Sequence, residues 1–205
     1  MIVKTIVNGM LQENCYLIMD EDSKEIAVVD PGDEGKRIKE NIEALGGIPK
    51  VIMLTHGHND HVAAVEYLSE KLNIPFYINK IEEEYIEKDN TVFGTIRKAD
   101  KHLEDGDIVK LGNKEIKAIY TPGHTKGGMC FLVEDKLFSG DTLFQGSVGR
   151  SDFIGGNHSE LINSIKTKLV PLGNNIEVYP GHGPMSTIGY EVRNNMFLAD
   201  FDSIF

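Results

Sequence analysis

The stretch VIMLTHGHNDH, residues 51–61, sets four apolar residues and a threonine before a segment with three histidines and an aspartate. A short apolar run bounded by turn formers reads as a buried strand, which places the ligand-type side chains at its end and in the turn beyond. His56 and His58 stand two apart on extended backbone, so their side chains point the same way and can grip one ion. Asp60 and His61 lie past the turn, at the mouth of a helix, and face a different point in space. One cluster can thus feed two neighbouring metal positions.

The same arrangement recurs three times. IYTPGHT brings His124, LFSGDT brings Asp141 and VYPGHGP brings His182, each just after a predicted strand. Strand ends along one edge of a sandwich would draw these loops together, and Gly57, Gly123, Gly140, Gly181 and Gly183 allow their turns to be tight. Five of the seven histidines lie in such loops. The other two, His102 and His158, read as ordinary surface residues. Imidazole with carboxylate favours divalent first-row metals, with Zn2+ the first choice and iron or manganese the alternatives.

Around these loops, short strands alternate with amphipathic helices. Strands are expected at 2–7, ENCYLIM, EIAVVD, KVIMLT, DIVKL, KEIKAIY, MCFLVEDKLF and IEVYP. A helix over EGKRIKENIEALGG carries Ile38, Ile42 and Leu45 on one face and stops at Gly46 and Gly47. A second carries Val62, Val65, Leu68 and Leu72, with Asn59 or Asp60 at its N-cap. A third spans HSELINSIKTKL, where Asn157 caps and Glu160 answers it. The acidic run IEEEYIEKDN reads as a solvated helix face. Two strand-rich halves with no linker between them give one compact unit over residues 1–205: two sheets facing each other with helices outside, an α/β fold of four αββα layers.

Composition narrows the partners. With 32 acidic against 21 basic residues the formal net charge is −11. The basic residues are scattered, which argues against nucleic acid or an anionic membrane as a partner. No apolar stretch is long enough to span a bilayer, and the first residues lack the features of a secretory signal, so a cytoplasmic location is expected. Cys15 and Cys130 are expected to be buried, reduced thiols.

The run His56-Gly57-His58-Asn59-Asp60-His61 resembles the H-x-H-x-D-H signature of the metallo-β-lactamase superfamily, and His124, Asp141 and His182 follow in the order of its later ligands. VVDPG, TPGHT, FSGDTLF, GSVGRSDF and YPGHGP are similar to motifs of its single-domain, glyoxalase II-like branch. The resemblance implies a first metal held by His56, His58 and His124, a second held by Asp60, His61 and His182, and Asp141 bridging them. It also implies that Asp30 supports the ligand loop and orients a histidine, although a capping role in the turn before Pro31 and Gly32 fits Asp30 equally well.

Water held between two divalent ions loses a proton near neutral pH, giving a hydroxide nucleophile that Asp60 can orient. The resemblance implies a small-molecule thioester substrate, S-lactoylglutathione first, cleaved to an acid and a thiol. The helical C-terminal domain with which two-domain glyoxalase II enzymes grip glutathione is expected to be missing. Arg150 and Lys126 are the candidate anion-binding residues, against a salt bridge of Arg150 to Asp152 and plain exposure of Lys126. The rival enzyme is a persulfide dioxygenase with a single iron. From another class comes a non-catalytic metal-binding module. A β-lactamase would need export, and a nuclease would need a basic surface.

Overall fold

The computed structural model describes residues 1–88 and 91–199. The last two residues of the acidic run, and residues 200–205 of the expected single unit, lie outside the described residues.

The strands expected from alternation form two six-stranded sheets. The first contains β1 (Ile2–Asn8), β2 (Glu13–Met19), β3 (Glu25–Val29), β4 (Ile48–Met53), β5 (Phe76–Ile78) and β6 (Lys101–His102), in that order. It begins as an antiparallel meander and becomes parallel from β3 onward. Helices α1 (Gly35–Ala44), α2 (Asn59–Val62), α3 (Val65–Leu72) and α4 (Lys80–Ile86) occupy its connections.

The second sheet contains β7 (Ile108–Leu111), β8 (Lys114–Tyr120), β9 (Met129–Val133) and β10 (Lys136–Gly140). A two-stranded ribbon follows, β11 (Leu143–Phe144) with β12 (Ser147–Val148), then α5 (His158–Ser164), which runs on as a π-helical turn over Ile165–Leu169. β13 (Glu177–Pro180) returns parallel to β10, and β14 (Ser186–Thr187) and α6 (Ile188–Asn194) complete the described fold.

Period-two alternation decides which side chain enters which layer. Tyr16, Ile18, Val29, Val51 and Met53 from the first sheet meet Ile116, Phe131, Val133 and Phe138 from the second. Their alternates Leu17, Val28 and Ile52 pack instead under α1 and α3, against Ile38, Ile42, Val65 and Leu68. On the far side Cys130, Leu137 and Val178 meet Leu161, Ile165 and Ile188. Three apolar interlayers between two sheets and their helices make the αββα sandwich. A fully buried side chain such as Phe131 contributes roughly 1.5–3 kcal/mol to it.

Several expectations need correcting. MCFLVEDKLF is two strands joined by a turn at Glu134, which takes a left-handed φ of 52°. The helix expected after residue 58 breaks between Val62 and Val65, because the Ala64 N–H donates to the Pro31 carbonyl at 3.0 Å. Its N-cap position is His58, in extended backbone, so neither Asn59 nor Asp60 caps. Asn157 does cap α5, accepting the Glu160 N–H at 3.0 Å. The Glu160 carboxylate turns away to Lys126 instead. The acidic helix α4 is not wholly solvated, since Glu82 is fully buried.

Candidate metal centre

β4 ends at Met53, and Leu54 to His58 continue as the turn that carries the first histidines. His56 Nε2, His58 Nδ1 and His124 Nε2 converge to 3.1, 3.3 and 3.0 Å from one another. The surrounding hydrogen bonds assign the tautomers of His124 and His56. His124 Nδ1–H donates to the Arg150 carbonyl at 2.7 Å, and His56 Nδ1–H donates to Thr55 Oγ1 at 3.0 Å. Both Nε2 atoms therefore present lone pairs, facing each other at 3.3 Å, an arrangement that a shared cation makes favourable. Three nitrogens about 2.0–2.1 Å from a tetrahedral zinc stand about 3.3–3.4 Å apart, so the triangle fits one such ion. Burial pushes the pKa of all three below the ordinary histidine value, that of His58 to about 3, which keeps them neutral as ligands must be.

A second group lies beside the first. Asp60 Oδ2 stands 3.2 Å from His182 Nε2 and 3.9 Å from His61 Nε2. Asp141 reaches both groups: Oδ1 is 3.3 Å from His61 Nε2, while Oδ2 is 3.6 Å from His124 Nε2 and 3.7 Å from His182 Nε2. His61 Nε2 and Asp141 Oδ1 are buried, and neither has a hydrogen-bond partner. A ring nitrogen and a carboxylate oxygen so placed leave a position that a cation, displacing the ring proton, satisfies. Burial opposes positive charge on His61, yet Asp141 and Asp30 push its pKa above the usual value. The second group is thus the more anionic of the two.

Supporting contacts run through both sheets. Asp30, at a left-handed φ of 48°, accepts the Thr55 N–H at 2.7 Å, the Thr55 hydroxyl at 2.5 Å and His61 Nδ1–H at 3.1 Å. It lies within ligand distance of His56 and His61, but both of its oxygens are taken, so it orients these side chains from behind. Opposite, His182 Nδ1–H donates to the Leu11 carbonyl at 3.1 Å. Asn14 and the Tyr16 hydroxyl donate to the Pro180 carbonyl at 3.0 and 2.6 Å, which pins the His182 loop to β2. Gly181 is where the strand ends touch: a β-carbon there would lie 2.3 Å from Asp141 Oδ1 and 2.7 Å from His61 Cε1.

All seven candidate ligands therefore gather beneath one cleft of about 540 Å³, with Leu11, Val92 and Phe153 among its apolar lining. Arg150 lines the same cleft, its guanidinium over Phe153 at 3.6 Å and bound in two prongs to Asp152 at 2.7 and 2.8 Å. Lys126 is not brought there; it pairs with Glu160 at 2.9 Å. Sequence reasoning missed Glu13, fully buried, with Oε1 3.9 Å from His61 Nδ1, and Glu82, which holds the ligand loops. Of the two histidines set aside, His102 pairs with Glu83 at 3.0 Å and His158 is exposed. Cys15 and Cys130 are buried and unpaired.

The family model of the metallo-beta-lactamase superfamily matches residues 8–182, which include all seven of these side chains. The chain belongs to that superfamily. Among relatives in this superfamily, the chain is 38% identical to the hydroxyacylglutathione hydrolase GloC of Haemophilus influenzae, over 91% of this chain and 93% of that protein. Among solved structures, it superposes on the B3 metallo-beta-lactamase BLEG-1 with a TM-score of 0.90 and 34% identity, covering 97% of this chain and 100% of that one. TTHA1623 in a di-iron-bound form gives a TM-score of 0.85 and 35% identity, over 96% and 100%. Members of the superfamily are metal-dependent enzymes, and no described helix of this chain is long and apolar enough to cross a membrane.

Proposed function

We propose that the chain is a binuclear metallohydrolase of the glyoxalase II type that cleaves a small-molecule thioester, S-lactoylglutathione or a similar acyl-thiol. The observation that carries this reading is Asp141, whose two oxygens reach ligand nitrogens of both groups beneath the open cleft. The likeness to a hydroxyacylglutathione hydrolase supports the substrate class. His56, His58 and His124 would hold one metal, Asp60, His61 and His182 the other, and Asp141 would be shared. When bound, the metals supply Lewis acidity and a water acidified toward neutrality.

The chain's own residues do the rest. Burial opposes the charge on Asp60, but His182 against it holds its carboxyl below the usual range, so at neutral pH it can accept a proton from water and orient it. Leu11, Val92 and Phe153 offer apolar walls to the substrate's hydrocarbon parts. Arg150, paired with Asp152 and lining the cleft, would meet a substrate carboxylate there. Zinc suits the imidazole and carboxylate set, with iron or manganese as alternatives, and the di-iron form of the similar structure supports iron. A cytoplasmic location suits two unpaired thiols.

The test is a panel of thioesters, a chromogenic β-lactam and glutathione persulfide, assayed on protein of measured metal content. Thioester cleavage with two metals per chain is expected. One iron with oxygen uptake on the persulfide and no thioester cleavage would overturn the reading in favour of a dioxygenase. Unchanged behaviour of Asp60→Asn in every assay would make the site a non-catalytic metal-binding module.

A further inference from the structure

Helix α4 carries a carboxylate that belongs to neither ligand group. Glu82 is fully buried, whereas its neighbour Glu84 is exposed. Its Oε2 accepts the N–H of Gly57, the residue between His56 and His58, at 2.9 Å. Its Oε1 accepts the N–H of Gly127, three residues past His124, at 2.6 Å. One side chain thereby spans the two loops that supply the three-histidine group.

The surroundings leave little play. A β-carbon at Gly127 would lie 2.7 Å from the Glu82 nitrogen and 2.9 Å from its Oε1, and one at Gly57 would lie 2.8 Å from Ile86 Cδ1, one helical turn further on. Both loops are therefore pressed on the same helix. Asn79 fixes the start of that helix, accepting the Ile81 N–H at 2.8 Å and donating to the Leu103 carbonyl at 3.0 Å. Burying a carboxylate is unfavourable unless hydrogen bonds offset it, and here each oxygen takes a backbone donor.

We propose that Glu82 is a positioning residue for the three-histidine metal: its carboxylate clamps the His56–His58 loop to the His124 loop and sets the separation that one cation needs. His124 Nε2 lies 3.0 Å from His58 Nδ1 and 3.3 Å from His56 Nε2, so a small shift of one loop against the other would open the triangle. Glutamine is nearly the same shape but cannot serve both donors. Its oxygen accepts one N–H, and its amide group then faces the other, forcing the loops apart.

The role rests on the metal-binding reading of the site and not on the thioester substrate. Zinc affinity is measured by competition with a chromophoric chelator in two backgrounds, with thermal unfolding of each metal-free protein alongside. In His182→Ala, which keeps the three-histidine group, Glu82→Gln is expected to weaken zinc binding about 10–100-fold, the usual effect of losing a group that orients ligands. In His58→Ala, which keeps Asp60, His61 and His182, the same change should leave zinc affinity as it was. Equal weakening in both backgrounds, no weakening in the first, or loss of cooperative unfolding where the metal-free parent retains it would overturn the role. A His182→Ala parent that binds no zinc at all would defeat the metal reading itself, an outcome distinct from these.

Discussion

Replacing Asp30 by asparagine isolates the function of its charge from its backbone strain. Residue 30 sits at a φ of 48°, which asparagine tolerates nearly as well as aspartate, so the turn itself should survive. The carboxylate serves three donors: the Thr55 N–H, the Thr55 hydroxyl and His61 Nδ1–H. Asparagine offers one acceptor oxygen. If that oxygen faces Thr55 Oγ1 and His61, the amide group opposes the Thr55 N–H. If it faces the Thr55 N–H, the amide group opposes His61 Nδ1–H and drives the proton to Nε2, the nitrogen that points at Asp141. Either way one charge-assisted hydrogen bond is lost, about 1.5–3 kcal/mol, and the remaining ones become neutral. At 1.4 kcal/mol per decade this is roughly a 10–100-fold weaker metal, felt most at the group containing His61. Zinc titration of Asp30→Asn against a chelator, with melting of the metal-free form, reads both effects. Unchanged affinity for both zinc equivalents, with only a lower melting temperature, would refute the orienting role and return Asp30 to a capping residue.

Three further outcomes follow from the same geometry. Asp60→Asn should lower thioester turnover by about 10²–10⁴-fold, the range of general acid–base groups, while circular dichroism stays as in the parent. In the metal-free protein, burial holds His56, His58 and His124 below the ordinary histidine pKa, and unfolding restores it to about 6.5. The unfolded chain then binds more protons, so stability should fall as pH drops below about 6.5, by about 1.4 kcal/mol per pH unit for each shifted group. For His58 the fall should level off near pH 3. His61 and His182, whose pKa values are raised, keep their protons in the folded state while the unfolded chain gains them only at about pH 6.5, so they oppose this slope around and above that pH and fade from it below. Urea unfolding at about pH 6 and about pH 5, below the range where His61 and His182 oppose the effect, measures it, and a flat profile there would contradict the neutral three-histidine cluster. Gly181→Ala places a β-carbon against Asp141 and His61, and should cost about 1–3 kcal/mol in chemical denaturation along with loss of one bound metal.

Much of this architecture was legible in the amino-acid order because the interlayers obey a local rule. Leu17 and Ile18, or Ile52 and Met53, go to opposite faces of one sheet, and apolar residues on both faces mark a strand buried on both sides. The ligand loops were legible because each histidine or aspartate follows such a strand. The turn at Glu134 was not, since a non-glycine residue holds the left-handed conformation and gives no signal. The break after Val62 depends on a bond to Pro31, thirty-odd residues away, which periodicity cannot register. Glu82 hid inside an acidic run that looks solvated. Its one trace is that it shares a helical face with Ile86, four residues on, and Ile86 is buried. Glu13 left no comparable trace, because Asn8 meets it only across the β1–β2 hairpin and His61 comes from a distant part of the chain.

The central claim is that loops from both sheets converge to hold two cations with Asp141 between them. Anomalous diffraction from crystals of the metal-loaded protein, recorded at the zinc and iron edges, tests it most directly. Two peaks about 3.5–4 Å apart are expected, one among His56, His58 and His124, the other among Asp60, His61 and His182. A single peak, or two peaks that Asp141 does not touch, would contradict it.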